Sequence, residues 1–237
     1  MSSSPRSRSR LASTQADAGR WLQERRVIVT AGGTREPIDP VRYLGNRSSG
    51  KMGNALAMAA RDAGADVLLI TAAPPPADPF DALEVVPVDT AEEMGAAVRQ
   101  RIGGSYVLLM AAAVADYKPK QVSSQKIKKG TGTWVLDLEP TADILSSLRD
   151  VPERRGVFVV GFAAETTDLL ENAQSKLREK GLDMIVLNDV SRDDIAMGAE
   201  ANEVTLIDQS GVVAFIERAP KDVVAAEILN VIRSRMR

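Results

Sequence analysis

The sequence predicts a three-layer α/β fold with a mostly parallel sheet, an antiparallel edge hairpin and a lysine-rich arm. Short runs rich in Val, Ile and Leu alternate with segments of helical periodicity along most of the chain. This alternation is typical of parallel strands joined by helices. Two alternating strand patterns flank a turn signal at 209–211 and predict the hairpin. Five lysines between positions 118 and 129 predict the arm.

The first half of the chain contains four predicted strands and two predicted helices. The strand at 106–114 is the most apolar, so we expect it at the centre of the sheet. A helix is predicted at 51–63 with Gly64 as its C-cap. A second helix begins after Thr90, which forms a capping-box pattern with Glu93. The other predicted strands are 26–30, 67–71 and 83–88.

The second half continues the alternation of strands and helices. Thr141 is the predicted N-cap of a helix that extends to 148. The segment 221–235 is predicted to be an amphipathic helix with one apolar stripe. Further strands are predicted at 133–138, 157–164 and 184–190, with a helix at 169–180. These elements predict a Rossmann-like arrangement, in which ligands bind at the carboxyl ends of the parallel strands.

The composition excludes several classes of protein. Of the 237 residues 44% are hydrophobic, and the mean hydropathy is -0.11, as expected for a soluble globular domain. The net charge of -2 gives no general affinity for nucleic acid. No run approaches the roughly 18 apolar residues that a membrane span needs. We therefore expect neither nucleic acid nor a membrane as a partner.

The chain contains no cysteine and no histidine. These absences exclude disulfides, thiolate nucleophiles, Ser-His-Asp triads and the commonest transition-metal ligands. Lysine, carboxylate, amide and hydroxyl groups remain, together with backbone N–H groups and a hard cation such as magnesium. This set suits transfer reactions at phosphorus, which depend mainly on positioning and charge neutralisation.

Residues 1–20 begin with a stretch rich in Ser and Arg and lack the apolar region of a secretion signal. We expect them to form a disordered tail or linker, with a nucleic-acid-binding arm as the alternative. The folded domain is then expected to span 21–237, in a cytoplasmic protein.

The stretch 27–53 gives the strongest signal for a ligand site. A polar loop of about 20 residues, longer than most connections, ends at Ser48, Ser49 and Gly50, directly before a predicted helix. The N–H groups and the dipole at a helix N-terminus favour an anion, so we predict a phosphorylated ligand. A P-loop is disfavoured because Met52 occupies the Ser/Thr position that binds magnesium. The dinucleotide fingerprint G-x-G-x-x-G is also absent.

The lysine cluster lies between the predicted central strand and the strand predicted at 133–138. Lysine clusters are usually solvated surfaces, but a nearly neutral chain that concentrates cations at one strand end favours an arm that closes over a polyphosphate. Lys176 and Lys180 share one face of a predicted helix. Their spacing alone is equally typical of ordinary surface lysines.

Four ordered motifs resemble those of the phosphopantothenoylcysteine synthetase family. The first, at 33–53, contains GTREPIDPVRY and NRSSGKMG. The others are AAVADY at 112–117, KIKK at 126–129 and GFAAET at 161–166. The resemblance extends from Arg26 to the C-terminus. In many bacteria this family forms the C-terminal half of a bifunctional protein, so it implies an upstream flavin-dependent decarboxylase domain in a native full-length chain.

The resemblance implies a CTP-dependent ligase of coenzyme A biosynthesis. The carboxylate of 4'-phosphopantothenate would attack the α-phosphorus of CTP, giving an acyl-cytidylate and pyrophosphate. The amine of L-cysteine would then displace CMP. The resemblance also implies a homodimer and a magnesium ion. Such a reaction needs no enzyme nucleophile, in agreement with the absence of Cys and His.

Matching motif positions give the site residues that the resemblance implies. Asn46, expected on the acyl-cytidylate, and Lys126, expected on the CTP phosphates, are the predicted catalytic residues. Asp116 is expected to contact either the ribose or magnesium. The segment 48–50 is expected at the phosphate of phosphopantothenate. The other expected nucleotide-binding residues are Met110, Ala111, Ala112, Lys129, Ala142, Asp143, Ile144, Leu145, Phe162, Lys176 and Lys180.

Two other functions remain open from the sequence. A nicotinamide-dependent oxidoreductase can share this fold. The missing fingerprint argues against it, as does the lack of a Lys four residues after any of the three tyrosines. A non-catalytic nucleotide-binding module would retain the same polar residues without turnover.

Overall fold

The computed structural model describes residues 19–78, 81–165, 169–189 and 199–236. The strands in these ranges are β1 (Arg26–Ala31), β2 (Arg35–Pro37), β3 (Tyr43–Gly45), β4 (Asp66–Thr71), β5 (Leu83–Pro87), β6 (Val107–Met110), β7 (Tyr117–Pro119), β8 (Leu138–Pro140), β9 (Phe158–Glu165), β10 (Met184–Asp189), β11 (Ala201–Asp208) and β12 (Gly211–Pro220). The helices are α1 (Lys51–Asp62), α2 (Ala91–Arg101), α3 (Ile144–Leu148), α4 (Leu169–Glu179) and α5 (Lys221–Arg235).

Eight of these strands form one sheet in the order β12-β11-β10-β9-β6-β1-β4-β5. Six neighbouring strands of this sheet, β10, β9, β6, β1, β4 and β5, run parallel to one another. β11 and β12 extend the β10 edge as an antiparallel hairpin. This topology confirms the predicted mostly parallel sheet with an antiparallel edge, and β6 lies in its interior as expected.

Helices cover both faces of the sheet, each over its own hydrophobic core. On one face α1 and α5 pack through Leu56 and Ile228 against Val29 of β1, all fully buried. On the other face α2 and α4 contribute Met94 and Leu177. The three-layer arrangement follows because β1, β4 and β6 are apolar on both sides, as strands between two helical layers must be. No helix in the described ranges is long and apolar enough to cross a membrane.

The N-terminus of α1 is held close to the end of β1 by glycine. A Cβ at Gly53 would lie 2.5 Å from the Cβ of Ala31, so only a glycine allows this helix to pack so near the strand. Gly50 adopts a left-handed φ of 77° at the N-cap, and a Cβ there would lie 2.7 Å from the Cβ of Ala73. The sequence therefore fixes where this helix begins relative to the sheet.

Local structure differs from the predicted elements at several places. The strand predicted at 106–114 ends at Met110, and β7 was not predicted. Asp143, not Thr141, caps α3, because its carboxylate accepts a hydrogen bond from the Ser146 N–H at 3.0 Å. The Thr141 hydroxyl instead donates to the carbonyl of Ala115. The predicted strand at 133–138 is reduced to its last residue, which begins β8 and pairs with β7. The short hairpin of β2 and β3, inside the long loop, was not predicted.

The predicted tail falls almost wholly on residues 1–18, which lie outside the described ranges.

Candidate functional site

A pocket of about 430 Å³ opens at the carboxyl ends of β6 and β9, beside the N-terminus of α1. Its floor is the segment 110–116, which ends β6 and is called the pocket floor below. One wall is the loop 46–52, which runs into the start of α1. The opposite wall is the segment 141–145 with Lys176 of α4 and Lys180, which directly follows that helix. This position is where parallel α/β sheets bind their ligands.

Two fully buried threonines fix the backbone of the pocket floor. The Thr30 hydroxyl accepts a hydrogen bond from the Ala112 N–H at 3.2 Å. The Thr34 hydroxyl accepts one from the Ala115 N–H at 2.9 Å. The Ala113 N–H donates to the carbonyl of Gly32 at 2.8 Å. Since each of these bonds joins the floor to β1 or the turn after it, the floor is a rigid part of the fold.

Asn46 joins the loop 46–52 to the pocket floor. Its side-chain amide donates to the carbonyl of Val114 at 3.0 Å. Close packing supports this arrangement, because a Cβ at Gly33 would lie 2.7 Å from the backbone oxygen of Asn46. The amide group is thereby oriented at the edge of the pocket although the residue is exposed.

The N-terminus of α1 faces the pocket without a side-chain cap. Ser48, Ser49 and Gly50 line the pocket, and the first turn of the 12-residue helix contains no acidic residue. The first N–H groups of a helix have no partner within it. This end of the pocket therefore combines open donors with the positive end of the helix dipole, which suits an anion.

The opposite wall carries an ion pair and a second lysine. The Lys180 ammonium lies 2.9 Å from the Asp143 carboxylate, which also caps α3. Burial raises the pKa of Asp143, but the hydrogen bonds from the Ser146 N–H and Lys180 outweigh it, so this pKa lies below its usual value. Asp143 is therefore ionised near neutral pH and holds Lys180 at the pocket. Lys176, one turn earlier on α4, lines the same pocket.

The pocket brings together all of the predicted site residues except Lys126 and Lys129. Both of these lysines are exposed on the segment 120–137, which is called the lysine arm below. Ala142, Ile144, Leu145, Phe162 and Asp116 all line the pocket as expected. Neither Lys126 nor Lys129 lines the pocket in this arrangement of the arm, and their contact with a nucleotide stays a prediction.

The lysine arm is attached to the turn between β2 and β3 beside Lys126. The buried Asp39 carboxylate accepts a hydrogen bond from the Ile127 N–H at 3.1 Å, and the Arg42 guanidinium donates to the Ile127 carbonyl at 2.9 Å. Arg42 also lies 4.7 Å from the centre of the Trp134 ring. Hydrogen bonds from Arg42 are the main reason that the pKa of Asp39 is far below its usual range. This attachment positions the residue next to Lys126.

Several residues of the pocket were not predicted from the sequence. Asn188 could have been found, because it directly follows an apolar strand run. Asn202 and Lys221 had no local signal, since the hairpin and α5 bring them to the pocket from the far end of the chain. The other unpredicted lining residues are Lys51, Met52, Ala113, Val114, Ala115, Thr141 and Ala163.

The fold and the pocket define an α/β protein that binds its ligand at the carboxyl edge of a parallel sheet. Comparison with known proteins gives the family. Residues 22–236 match the family described as DNA/pantothenate metabolism flavoprotein C-terminal domain, and the chain belongs to it. The predicted resemblance is confirmed, because this domain forms the C-terminal half of the bifunctional coenzyme A biosynthesis proteins named CoaBC.

Individual relatives agree with this assignment. The chain is 43% identical to CoaBC of Bacillus subtilis over 190 residues, which cover 80% of this chain and 46% of that protein. Identity to CoaBC of Mycobacterium tuberculosis is 40% over 222 residues, covering 89% and 52%. A protein from an unknown prokaryote, named cysteine/cysteine sulfinic acid decarboxylase, is 42% identical over 209 residues, covering 88% and 58%. The chain thus spans about half the length of the curated relatives it matches.

A solved structure resembles this chain over nearly its whole length. The crystal structure of the C-terminal domain of a CoaBC protein is 40% identical, with a TM-score of 0.75. The match covers 91% of this chain and 97% of that chain. The fold described above is therefore the fold of that domain.

Proposed function

We propose that this chain is a CTP-dependent ligase that joins 4'-phosphopantothenate to L-cysteine. The observation that carries the proposal is the pocket itself, which gathers Asn46, Asp116, Lys176 and Lys180 beside an open helix N-terminus. Membership of the family and 40% identity to a CoaBC C-terminal domain support it. The absence of Cys and His supports a reaction without a covalent enzyme intermediate.

In the first proposed step, a carboxylate oxygen of phosphopantothenate attacks the α-phosphorus of CTP. The bond from the α-phosphorus to the bridging oxygen breaks, and pyrophosphate leaves with the electron pair. Lys176 and Lys180 are suited to neutralise charge on the phosphates, and Asp143 holds Lys180 in place. Positioning and charge neutralisation are the main sources of catalysis in such transfers.

In the second proposed step, the amine of cysteine attacks the acyl carbon of the acyl-cytidylate. The acyl C–O bond breaks, CMP leaves with that oxygen, and the amine proton passes to solvent. Asn46 is suited to orient the activated acyl group, because its amide is fixed by Val114 and adds no charge beside the phosphate. The rigid pocket floor keeps this geometry between the two steps.

Magnesium is proposed as the cofactor. No group of three or more acidic side chains in the described ranges could hold a metal alone. Asp116 is exposed at the pocket and fits a magnesium ion that is bound mainly by substrate phosphates, which is its usual mode. Bound there, the ion would supply charge neutralisation at the phosphates. Asp116 could equally contact the ribose.

Assembly and location are also proposals from the family resemblance. We propose a homodimer in the cytoplasm, with a decarboxylase domain in a longer native chain. Light scattering of the purified chain tests the dimer, which predicts twice the monomer mass of 25.4 kDa.

The function is tested by measuring pyrophosphate release from CTP and 4'-phosphopantothenate with magnesium, with and without L-cysteine. CTP-dependent release, with an amide product only when cysteine is added, is expected. ATP and NADPH serve as controls. If no nucleotide gives pyrophosphate release, the chain is a binding module or an inactive homologue, and oxidation of NADPH would support the oxidoreductase.

A further inference from the structure

Two lysines at the α1 end of the pocket share one carboxylate. The Lys51 ammonium forms an ion pair with Glu200. Lys221 begins α5, and its backbone N–H donates to the Glu200 carbonyl at 3.3 Å while its ammonium donates to the carbonyl of Ala199. Two cations with one carboxylate leave a net positive charge in the pocket. Burial first, and then the charge of Lys51, lower the pKa of half-buried Lys221, whereas Glu200 acts in the opposite direction.

A buried amide next to these lysines lacks a partner. Asn202 on β11 is 4% exposed and lines the pocket. Its amide nitrogen makes only a 3.8 Å contact with the sulfur of Met52, and its oxygen has no hydrogen-bond partner within the described part of the chain. Leaving such a group unpaired costs free energy, so a ligand is the expected partner. Turning the amide over exchanges its nitrogen and oxygen and sacrifices only the weak contact to sulfur.

These groups converge on the N-terminus of α1, whose first N–H groups have no partner within the helix and no side-chain cap. Two ammonium groups, an amide and a helix N-terminus offer more donors than the two oxygens of a carboxylate can accept. A phosphate group with three terminal oxygens matches them better. We propose that Lys51, Asn202 and Lys221 form a subsite, with the start of α1, for a phosphate group carrying about two negative charges. The proposal rests on the proposed function and extends it to three residues that were not among the predicted site residues.

Two ligands of the proposed reaction carry such a group. The first is CTP, through its terminal phosphates, and the second is 4'-phosphopantothenate, through its phosphate monoester. The experiment compares each ligand with its counterpart that carries no phosphate, namely cytidine and pantothenate. Binding is measured by isothermal titration at constant ionic strength, because phosphate binding by lysines depends on salt.

The test uses Lys221→Gln and Lys51→Gln, with Arg101→Gln as a charge-matched control outside the pocket. Each pocket variant is expected to bind CTP or phosphopantothenate about 10-fold more weakly, as for loss of one charged hydrogen bond. Affinity for the counterpart without the phosphate should stay the same. Lys221→Arg should restore most of the affinity. The Lys51 side chain is 42% exposed, so Lys51→Gln should fold even if Lys221→Gln does not.

If the variants lose affinity only for CTP, the subsite binds the nucleotide. If they lose affinity only for phosphopantothenate, it binds the acyl substrate. Unchanged affinity of folded Lys51→Gln and Lys221→Gln for both phosphate ligands overturns the proposal. An equal loss of affinity for cytidine and pantothenate, which carry no phosphate, also overturns it. Failure of the proposed function would appear separately, as a wild-type chain that binds these ligands but forms no amide.

Discussion

The pocket floor and the lysine arm differ in how firmly the fold holds them. The floor is bonded to the fully buried hydroxyls of Thr30 and Thr34. The arm carries exposed apolar side chains such as Val135, which is 77% exposed. The arm is bonded to the rest of the fold at a few points. The Ser123 N–H donates to the Ile38 carbonyl, and the backbone of Ile127 is bonded to the side chains of Asp39 and Arg42.

This difference suggests two separate roles: the pocket floor positions the substrate, and the lysine arm closes over it. A segment with few buried contacts opens at a lower free-energy cost than a buried one. In the proposed reaction the floor would keep Asn46 oriented, and Lys126, which lies outside the pocket, would move with the arm to reach it. A cation on a movable segment suits a polyphosphate that changes shape and leaves as pyrophosphate. The predictions below test this division, from the largest expected effect to the smallest.

Asn46→Asp should have the largest effect, because it breaks the bond between the loop 46–52 and the pocket floor. The carboxylate cannot donate to the Val114 carbonyl, and it places negative charge beside the substrate phosphate. Amide formation should slow by roughly 10²–10³-fold, as for other losses of a positioned polar group. Rapid-quench experiments should detect accumulated acyl-cytidylate. Wild-type steady-state rates in this variant would remove Asn46 from the mechanism.

Lys126→Ala should reduce turnover by about 10²-fold through loss of charge neutralisation. The fold should be unaffected, because the side chain is exposed on the arm. Turnover and the thermal unfolding midpoint are measured together, with Lys120→Ala as the matched arm control. A large drop in the unfolding midpoint of Lys126→Ala would contradict the view that the arm acts only by closing.

Gly53→Ala should disturb the α1 side of the pocket through packing alone. The new Cβ would lie 2.5 Å from the Ala31 Cβ and 2.8 Å from the Thr30 carbonyl oxygen, so α1 must move away from β1. Overpacking of this kind lowers the free energy of unfolding by about 1–3 kcal/mol. Urea denaturation measures it. Gly103→Ala is the control, because its nearest contact would be 3.6 Å, and equal stabilities of the two variants would contradict the packing argument.

Asp39→Asn should weaken the attachment of the lysine arm at Ile127. Of the four variants, it should have the smallest effect on turnover. The native pKa of Asp39 is lowered, so its stabilising contribution is present above the unfolded pKa of about 3.9 and is lost as the pH falls toward the native value. The variant should therefore be less stable than wild type at pH 7, with a difference that shrinks in acid. Limited proteolysis should cleave the arm of the variant faster. Equal cleavage rates would show that Asp39 does not hold the arm.

The sequence predicted most of the pocket, because its parts lie where strands end or helices begin. The apolar run before Ala111 and the serines before α1 are local signals. Thr141 was misassigned because its hydroxyl is used by the Ala115 carbonyl, a contact that depends on the tertiary fold. Asn202 and Lys221 were missed for a similar reason, since the pairing of β11 with β10 and the packing of α5 beside α1 bring them to the pocket.

The central claim, that the pocket activates a carboxylate as an acyl-cytidylate, is tested most directly with 4'-phosphopantothenate labelled with ¹⁸O in its carboxylate. In the proposed mechanism the attacking oxygen stays on phosphorus when cysteine displaces CMP. Mass spectrometry should therefore find one ¹⁸O in each CMP formed. Amide formation with unlabelled CMP would contradict the account, and ¹⁸O in inorganic phosphate would indicate an acyl phosphate instead.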